Sequence, residues 1–153
     1  MIYLAALLLG VVAGLRTMTP LATLSWATRF GAVRFAGTRL MFLGHGFTPW
    51  LLTAAAVLEF ITDQMPSTPS RKVPLQFAAR LVSGAFCGAA MGWTAGSWTT
   101  GAVAGIVGAI IGTLGGSWMR AQLASAFHRD RPAALLEDVV AIGGAVLILA
   151  FLG

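Results

Sequence analysis

Charge is what this chain has least of. Of its 153 residues only 10% are Asp, Glu, Lys or Arg, whereas 58% are apolar, and the mean hydropathy is +0.84. A soluble domain carries about 25% charged residues, so the shortage excludes an ordinary soluble fold and predicts an integral membrane protein whose first partner is the lipid bilayer. The net charge of +5 comes from scattered arginines and the single Lys72. Without a basic block interleaved with aromatics, nucleic acid is excluded as a partner, and the cations are read as topology signals.

Other absences narrow the chemistry. One cysteine, Cys87, excludes an intrachain disulfide and reads as a small packed residue. His45 and His128 are too few and too far apart to make a zinc site with it, so no metal and no cofactor is expected. There is no GxSxG elbow, Walker loop, HExxH or thiol cluster, and the expectation is that the protein is not an enzyme. The apolar start, MIYLAALLLGVVAGL, lacks a basic n-region and reads as a retained membrane helix rather than a signal peptide. No lipidation motif is present.

What is present is a series of apolar segments. Crossing about 30 Å of hydrocarbon at 1.5 Å per residue takes about 20 residues, and the run 2–15 is too short by itself. The first crossing is therefore expected to take in Arg16-Thr-Met-Thr-Pro20 and to continue to about Arg29, with a kink or break at Pro20. The freed carbonyls and the hydroxyls of Thr17 and Thr19 would then line protein or water, not lipid. Residues 30–47, with Arg34, Arg39 and a solvated His45, form a connection containing a short interfacial helix. Thr48 and Pro49 open a second segment over 49–65, closed by Pro66. Further segments run over 74–96, from 99 to 119 or slightly beyond, and over 133–152. Gly84, Gly88, Gly92 and Gly96, then Gly101, Gly105, Gly108, Gly112 and Gly116, recur at three- to five-residue intervals that put small residues on helix faces.

The fold expected is thus all-α: one transmembrane domain over 1–153, with about five transmembrane helices. Ala55-Ala-Val-Leu-Glu59 matches Ala133-Ala-Leu-Leu-Glu137 at an offset of 78, and Gly10-Val-Val-Ala-Gly14 resembles Gly108-Ala-Ile-Ile-Gly112 at an offset of 98. Segments one and two would correspond to four and five around a central helix, as an inverted repeat. Five crossings place the N-terminus with Arg71, Lys72, Arg120, Arg129 and Arg131, and Arg29, Arg34 and Arg39 opposite. The positive-inside rule then predicts a multi-pass protein of the cell inner (plasma) membrane with a cytoplasmic N-terminus. Trp26, Trp50, Trp93 and Trp98 would mark the interface away from the N-terminus, and Trp118 the near one.

The rare ionisable residues within these segments are Arg16, Glu59, Asp63, Arg80, Glu137 and Asp138. An unpaired charge in hydrocarbon costs about 2.5–3.5 kcal/mol, so each is expected to have a partner. Glu59 and Asp63, four apart, share a helix face, and counting depth from Pro49 pairs Asp63 with Arg80 and Glu59 with Arg16. Glu137 and Asp138 enter from the same side. Glu59 and Glu137, equivalent by the repeat, would flank a central site binding a proton or small cation, because a carboxylate moved out of water holds its proton more tightly. The same residues also fit permanent ion pairs that only fix helix register.

At GLRTMTPLA, LEFITDQMPSTPSRKVP, FAARLVSGA and ALLEDVVAIGGA the sequence resembles the bacterial membrane proteins grouped as domain of unknown function 4126, over nearly the whole chain. The pattern E-x-x-x-D-x-x-P followed by an arginine carries the resemblance most specifically. It implies a polytopic membrane fold and puts Glu59, Asp63, Pro66, Arg80, Glu137 and Asp138 at the family's polar positions. Many members have Lys where Gln64 stands and an acidic, aromatic turn in place of STPSRKVP, so a turn-bound ligand is not carried over. The resemblance brings no established activity. The function expected is a small transporter or channel-like protein handling a proton or small cation, homo-oligomeric through its glycine faces. The alternative is a non-transporting membrane scaffold or lipid-interacting protein with structural ion pairs.

Overall fold

A computed structural model describes residues 1–35, 37–63, 73–127 and 130–152. Gln64, Pro66, Arg71, Lys72, His128 and Arg129, on which parts of the sequence reading rest, lie outside them. The described residues form six α-helices and one 3-10 helix, with no strand: α1 (Ile2–Leu15), α2 (Met18–Arg29), the 3-10 helix Arg39–Gly44, α3 (Thr48–Asp63), α4 (Pro74–Thr94), α5 (Trp98–Phe127) and α6 (Asp130–Leu152). The short helix in 30–47 and the start of α3 at Thr48 agree with the sequence. His45 is exposed.

The N-terminal segment differs. The break falls at Arg16, whose backbone is extended (φ −144°, ψ 121°), and not at Pro20. Pro20 sits in the first turn of α2, where its missing N–H leaves no helical hydrogen bond unmade. At the break the chain turns back. Met18 meets Glu59 near the end of α3, and Trp26 Nε1 donates to Thr53 Oγ1 near its start at 2.9 Å, so α2 runs antiparallel to α3. Beyond α2, Val33 returns to line one cavity with Ile2 and Leu152. Helices α1 and α2 are therefore a hairpin with arms of about 21 and 18 Å, by the 1.5 Å helical rise, and not one continuous crossing.

This reversal changes which ends lie together. The N-terminus, the segment after α2, the α4–α5 turn and the end of α6 share one end of the bundle. Trp26, Trp50, Trp93 and Trp98 are also at that end, contrary to their expected place away from the N-terminus. Arg16–Thr17, the end of α3, the start of α4 and the end of α5 share the other. The N-terminus and the start of α4, expected on one side, lie at opposite ends. Nor do the helix directions fit an inverted repeat. Helix α5 runs parallel to α1, since Gly10 meets Gly105 and Gly14 meets Ala109 and Gly112. Helix α6 runs opposite to α3, with Asp138 and Asp63 at the same Arg16. One rotation cannot carry α1 and α3 onto α5 and α6.

Glycine sets the spacing of the central helices. A Cβ added to Gly84 would stand 2.7 Å from the Gly105 carbonyl oxygen, and one on Gly101 2.7 Å from Gly92 Cα. On the other side of α5, one on Gly10 would stand 2.9 Å from Gly105 Cα. Backbones thus touch without side chains between them, the packing that small residues allow between helices. These faces are consumed inside one chain, so they cannot also be the expected homo-oligomer contact. Beside a buried apolar core that includes Leu9, Leu24 and Met91, several charges are enclosed and much apolar surface is turned outward. Arg16, Arg80, Glu137 and Asp138 are buried, whereas Leu51, Leu58, Val82, Val103, Ile111, Val139 and Leu147 are exposed. Among the described residues two helical stretches, Trp98–Ala126 and Ala134–Leu152, are long and apolar enough to cross a membrane.

Two glycine substitutions test this packing by thermal unfolding in detergent. Gly105→Val places methyls against the Gly84 and Gly10 backbones, which have no flexible end to give, and should cost at least the roughly 1–3 kcal/mol of overpacking. A methyl added at Gly115 would have nothing within 4 Å of it, so Gly115→Ala should be neutral or gain up to about 1 kcal/mol from helix propensity. Equal losses in both would contradict the arrangement.

Candidate functional site

Breaking a helix inside an apolar bundle exposes carbonyls on one side of the break and N–H groups on the other. The tip of the α1–α2 hairpin meets that demand with charge. Arg80, on the second turn of α4, donates from Nη1 to the carbonyl oxygens of Gly14 (2.6 Å) and Leu15 (2.7 Å) at the end of α1. Thr113 Oγ1 of α5 donates to the same Gly14 oxygen at 3.2 Å. Across the break, the backbone N–H groups of Thr17 and Met18 donate to the two Glu59 carboxylate oxygens at 2.7 and 2.8 Å. A cation thus sits at the negative end of one helix dipole and an anion at the positive end of the next. Ser83 Oγ donates to the Thr17 carbonyl at 2.6 Å.

Arg16 stands between these ends with no exposed side-chain surface. Its Nη1 is paired with Asp63 and its Nη2 with Asp138, and its Cζ lies 5.2 Å from the centroid of the Phe60 ring, within cation–π range. One guanidinium therefore ties the last residue of α3 to the third turn of α6. Glu137, the neighbour of Asp138, lies by Gly116 and has the Arg120 guanidinium 3.8 Å from its Oε2.

The expected pairs are corrected. Arg16 takes Asp63 and Asp138, where Glu59 was expected, and Arg80 takes backbone carbonyls, where Asp63 was expected. Depth counting assumed a continuous first crossing; the reversal instead puts two bare helix ends beside the charges, and these compete for them. The two carboxylates that share a centre are Asp63 and Asp138, rather than Glu59 and Glu137. Of the residues expected to line a break, Thr17 contributes its N–H and its carbonyl. Thr19 Oγ1 is buried with no hydrogen bond among the described residues, as are Arg16 Nε and Arg80 Nε, while Pro20 is packed into α2. Sequence reasoning missed Ser83, Thr113 and Phe60. Ser83 lies three residues after Arg80 on the same helix face, which was a usable signal. Among the described residues no three His, Cys, Asp or Glu side chains form a group that could hold a metal ion.

Residues 3–151 match the family model described as "Domain of unknown function (DUF4126)", and the chain belongs to that family. No curated protein and no solved structure matches it.

The roles assigned at the tip differ in size. Arg16→Gln leaves Asp138 buried without its cation and should cost about 3–5 kcal/mol. Glu59→Gln keeps one acceptor for the α2 N-terminus and should cost about 0.5–2 kcal/mol, as a weakened cap. In a double-mutant cycle, Arg16→Gln with Asp138→Asn should show coupling on the order of 1–3 kcal/mol. Additive losses in chemical unfolding would refute the bridge.

Proposed function

We propose that this member of the family is a single-domain, multi-pass protein of the cell inner membrane that handles a proton or small cation at the tip of the α1–α2 hairpin. The observation that carries the membrane reading is that arginine and carboxylates are enclosed while much Leu, Val and Ile surface is turned outward. The tryptophans of α5 agree with it. Trp98 and Trp118, both exposed, are twenty residues apart on one helix, which is about 30 Å and the thickness of the hydrocarbon between two aromatic belts. On that scale Thr113, and with it the hairpin tip, lies about 22 Å beyond Trp98, inside the apolar layer near the Trp118 side.

On this reading α3, α4, α5 and α6 cross the bilayer, and α1 and α2 form a re-entrant hairpin, irregular backbone at depth being tolerated only where protein encloses it. Charged groups at such depth are costly, and an apolar helix would cross without them, which favours a functional tip. Asp63 and Asp138, sharing Arg16, are the groups that would exchange a proton or admit a cation in place of one ion pair, and Glu59 the group that would release the α2 N-terminus. The second reading, a scaffold with permanent ion pairs, is favoured by the engagement of Glu59 and Asp138 with donors of the chain itself. A homo-oligomer would pack through outward apolar faces such as that of α3, since the glycine faces are occupied.

With the observed helix directions, the connections 64–73 and 128–129 link helix ends opposite the N-terminus. Their Arg71, Lys72 and Arg129, with Arg120 and Arg131, outnumber Arg29, Arg34 and Arg39. The positive-inside rule then turns the N-terminal end away from the cytoplasm, reversing the sequence-based orientation. In a Cys87→Ala background, a membrane-impermeant maleimide added to intact cells should label Phe47→Cys, and should label Ser125→Cys only after permeabilisation. The converse pattern would invert the orientation, and labelling of both would refute the crossing.

Ion handling is tested by pH- and cation-dependent flux in proteoliposomes, comparing the wild type with Asp138→Asn and Glu59→Gln, each checked for folding by its unfolding transition. Flux lost in folded variants supports the proposal. No flux for any monovalent or divalent cation, with both variants merely destabilised, assigns the charges to the scaffold.

A further inference from the structure

The end of the bundle away from the hairpin tip carries a second feature. A cavity of about 410 Å³ opens there between the start of α1, the segment after α2 and the last turns of α4 and α6. Its wall is mostly apolar, with Ile2, Val33, Met91 and Phe151, and among the described residues Arg34 is the one charged side chain in it. Arg34 is exposed, as are Arg29 and Arg39 nearby in the chain. None of the five acidic residues is at this end: Glu59, Asp63, Glu137 and Asp138 lie at or near the hairpin tip, and α6 begins at Asp130 on that opposite side. Exposed Trp93 and Trp98 accompany these arginines, amphipathic rings of the kind that settle at headgroup level.

We propose that this end binds an anionic phospholipid, whose phosphate sits on Arg34 and one of whose acyl chains enters the cavity beneath it. The planar guanidinium matches a phosphate with paired donors. No acidic side chain of the described residues stands at this end to compete for it. The mostly apolar wall suits a hydrocarbon occupant, which neither a free phosphate nor an acidic protein surface supplies, and 410 Å³ is within the range of ligand-sized cavities. The inference rests on the membrane part of the proposal above and is independent of ion handling.

The test is quenching of tryptophan fluorescence in phosphatidylcholine vesicles doped with dibrominated phosphatidylglycerol or dibrominated phosphatidylcholine. The wild type should reach half-quenching at about fivefold lower mole fraction of the anionic lipid, the factor that one arginine contributes at an anionic headgroup. Arg34→Gln should lose that preference and Arg34→Lys should keep most of it. Ala32→Phe, which narrows the cavity without touching the charge, should weaken it while leaving helical content by circular dichroism unchanged. Equal quenching by both lipids in the wild type, or an undiminished preference in Arg34→Gln, overturns the proposal. Displacement of the brominated lipid by soluble glycerol phosphate also overturns it, in favour of a free phosphate ligand. Failure of the folded protein to enter vesicles at all would overturn the membrane reading, whereas entry without preference overturns this inference alone.

Discussion

A helix that stops inside an apolar bundle leaves backbone groups with no water to satisfy them, at a cost of several kcal/mol for each one left bare. The chain reverses at Arg16–Thr17, and the placement of Arg16, Glu59, Asp63, Arg80 and Asp138 follows from that single event. Two carbonyls at the end of α1 need donors, preferably cationic, and Arg80 supplies both bonds. Two N–H groups at the start of α2 need acceptors, preferably anionic, and one carboxylate, Glu59, supplies both. Arg16 itself is then enclosed with no route to the surface, and Asp63 and Asp138 are the counter-charges that make its burial tolerable. Removing the break would leave these residues without a reason to be buried.

The reversal in turn depends on how closely the helices approach. Arg80 and Thr113 reach the Gly14 carbonyl from different helices, so α4 and α5 must hold a fixed distance from the end of α1. Glycine at 10, 84, 101 and 105 lets those backbones touch, and the contact is stiff because it contains no rotatable side chain. A helix pair spaced by leucines would sit farther apart and would lengthen the bonds of 2.6 and 2.7 Å that Arg80 makes. The small-residue stripe and the polar tip are therefore one construction: the first sets positions and the second uses them.

Much of this was legible in the sequence. Composition identified the apolar helical class, the boundaries of α3, α4 and α6 fell within a few residues of the segments read from hydropathy, and the six ionisable residues singled out by their place in apolar segments are the ones enclosed or nearly so. The direction of α2 was not legible. A run of fourteen apolar residues followed by a polar pentapeptide and a weaker apolar run fits both a kinked crossing and a hairpin. Proline drew attention to position 20 because it disrupts helix interiors, yet it is favoured in a first turn, and position 20 is in one. Every pairing depends on that choice, which is why these residues are enclosed as expected while their partners differ. The repeated Ala-Ala-x-Leu-Glu likewise marks two helices with similar surfaces, and local similarity carries no information about direction.

A site held by charge where helical continuity is missing also differs in how it can move. Helix α3 packs mainly against α2 and the 3-10 helix and turns much of its surface outward, with Leu51, Leu58 and Ile61 exposed. Its ties to the rest of the bundle at the tip are Glu59 on the α2 N-terminus and Asp63 on Arg16. Helix α6 meets the same guanidinium through Asp138 from the other side. On the proposed function, a proton or cation arriving at either carboxylate of the Arg16 bridge would weaken one tie and leave the other in place, biasing α3 or α6, and only a ligand with different affinity for those two arrangements could drive the change. A single buried arginine between two acids is the smallest arrangement with that property, and on the proposed function it is the reason that the charges occur as a bridge rather than as isolated pairs.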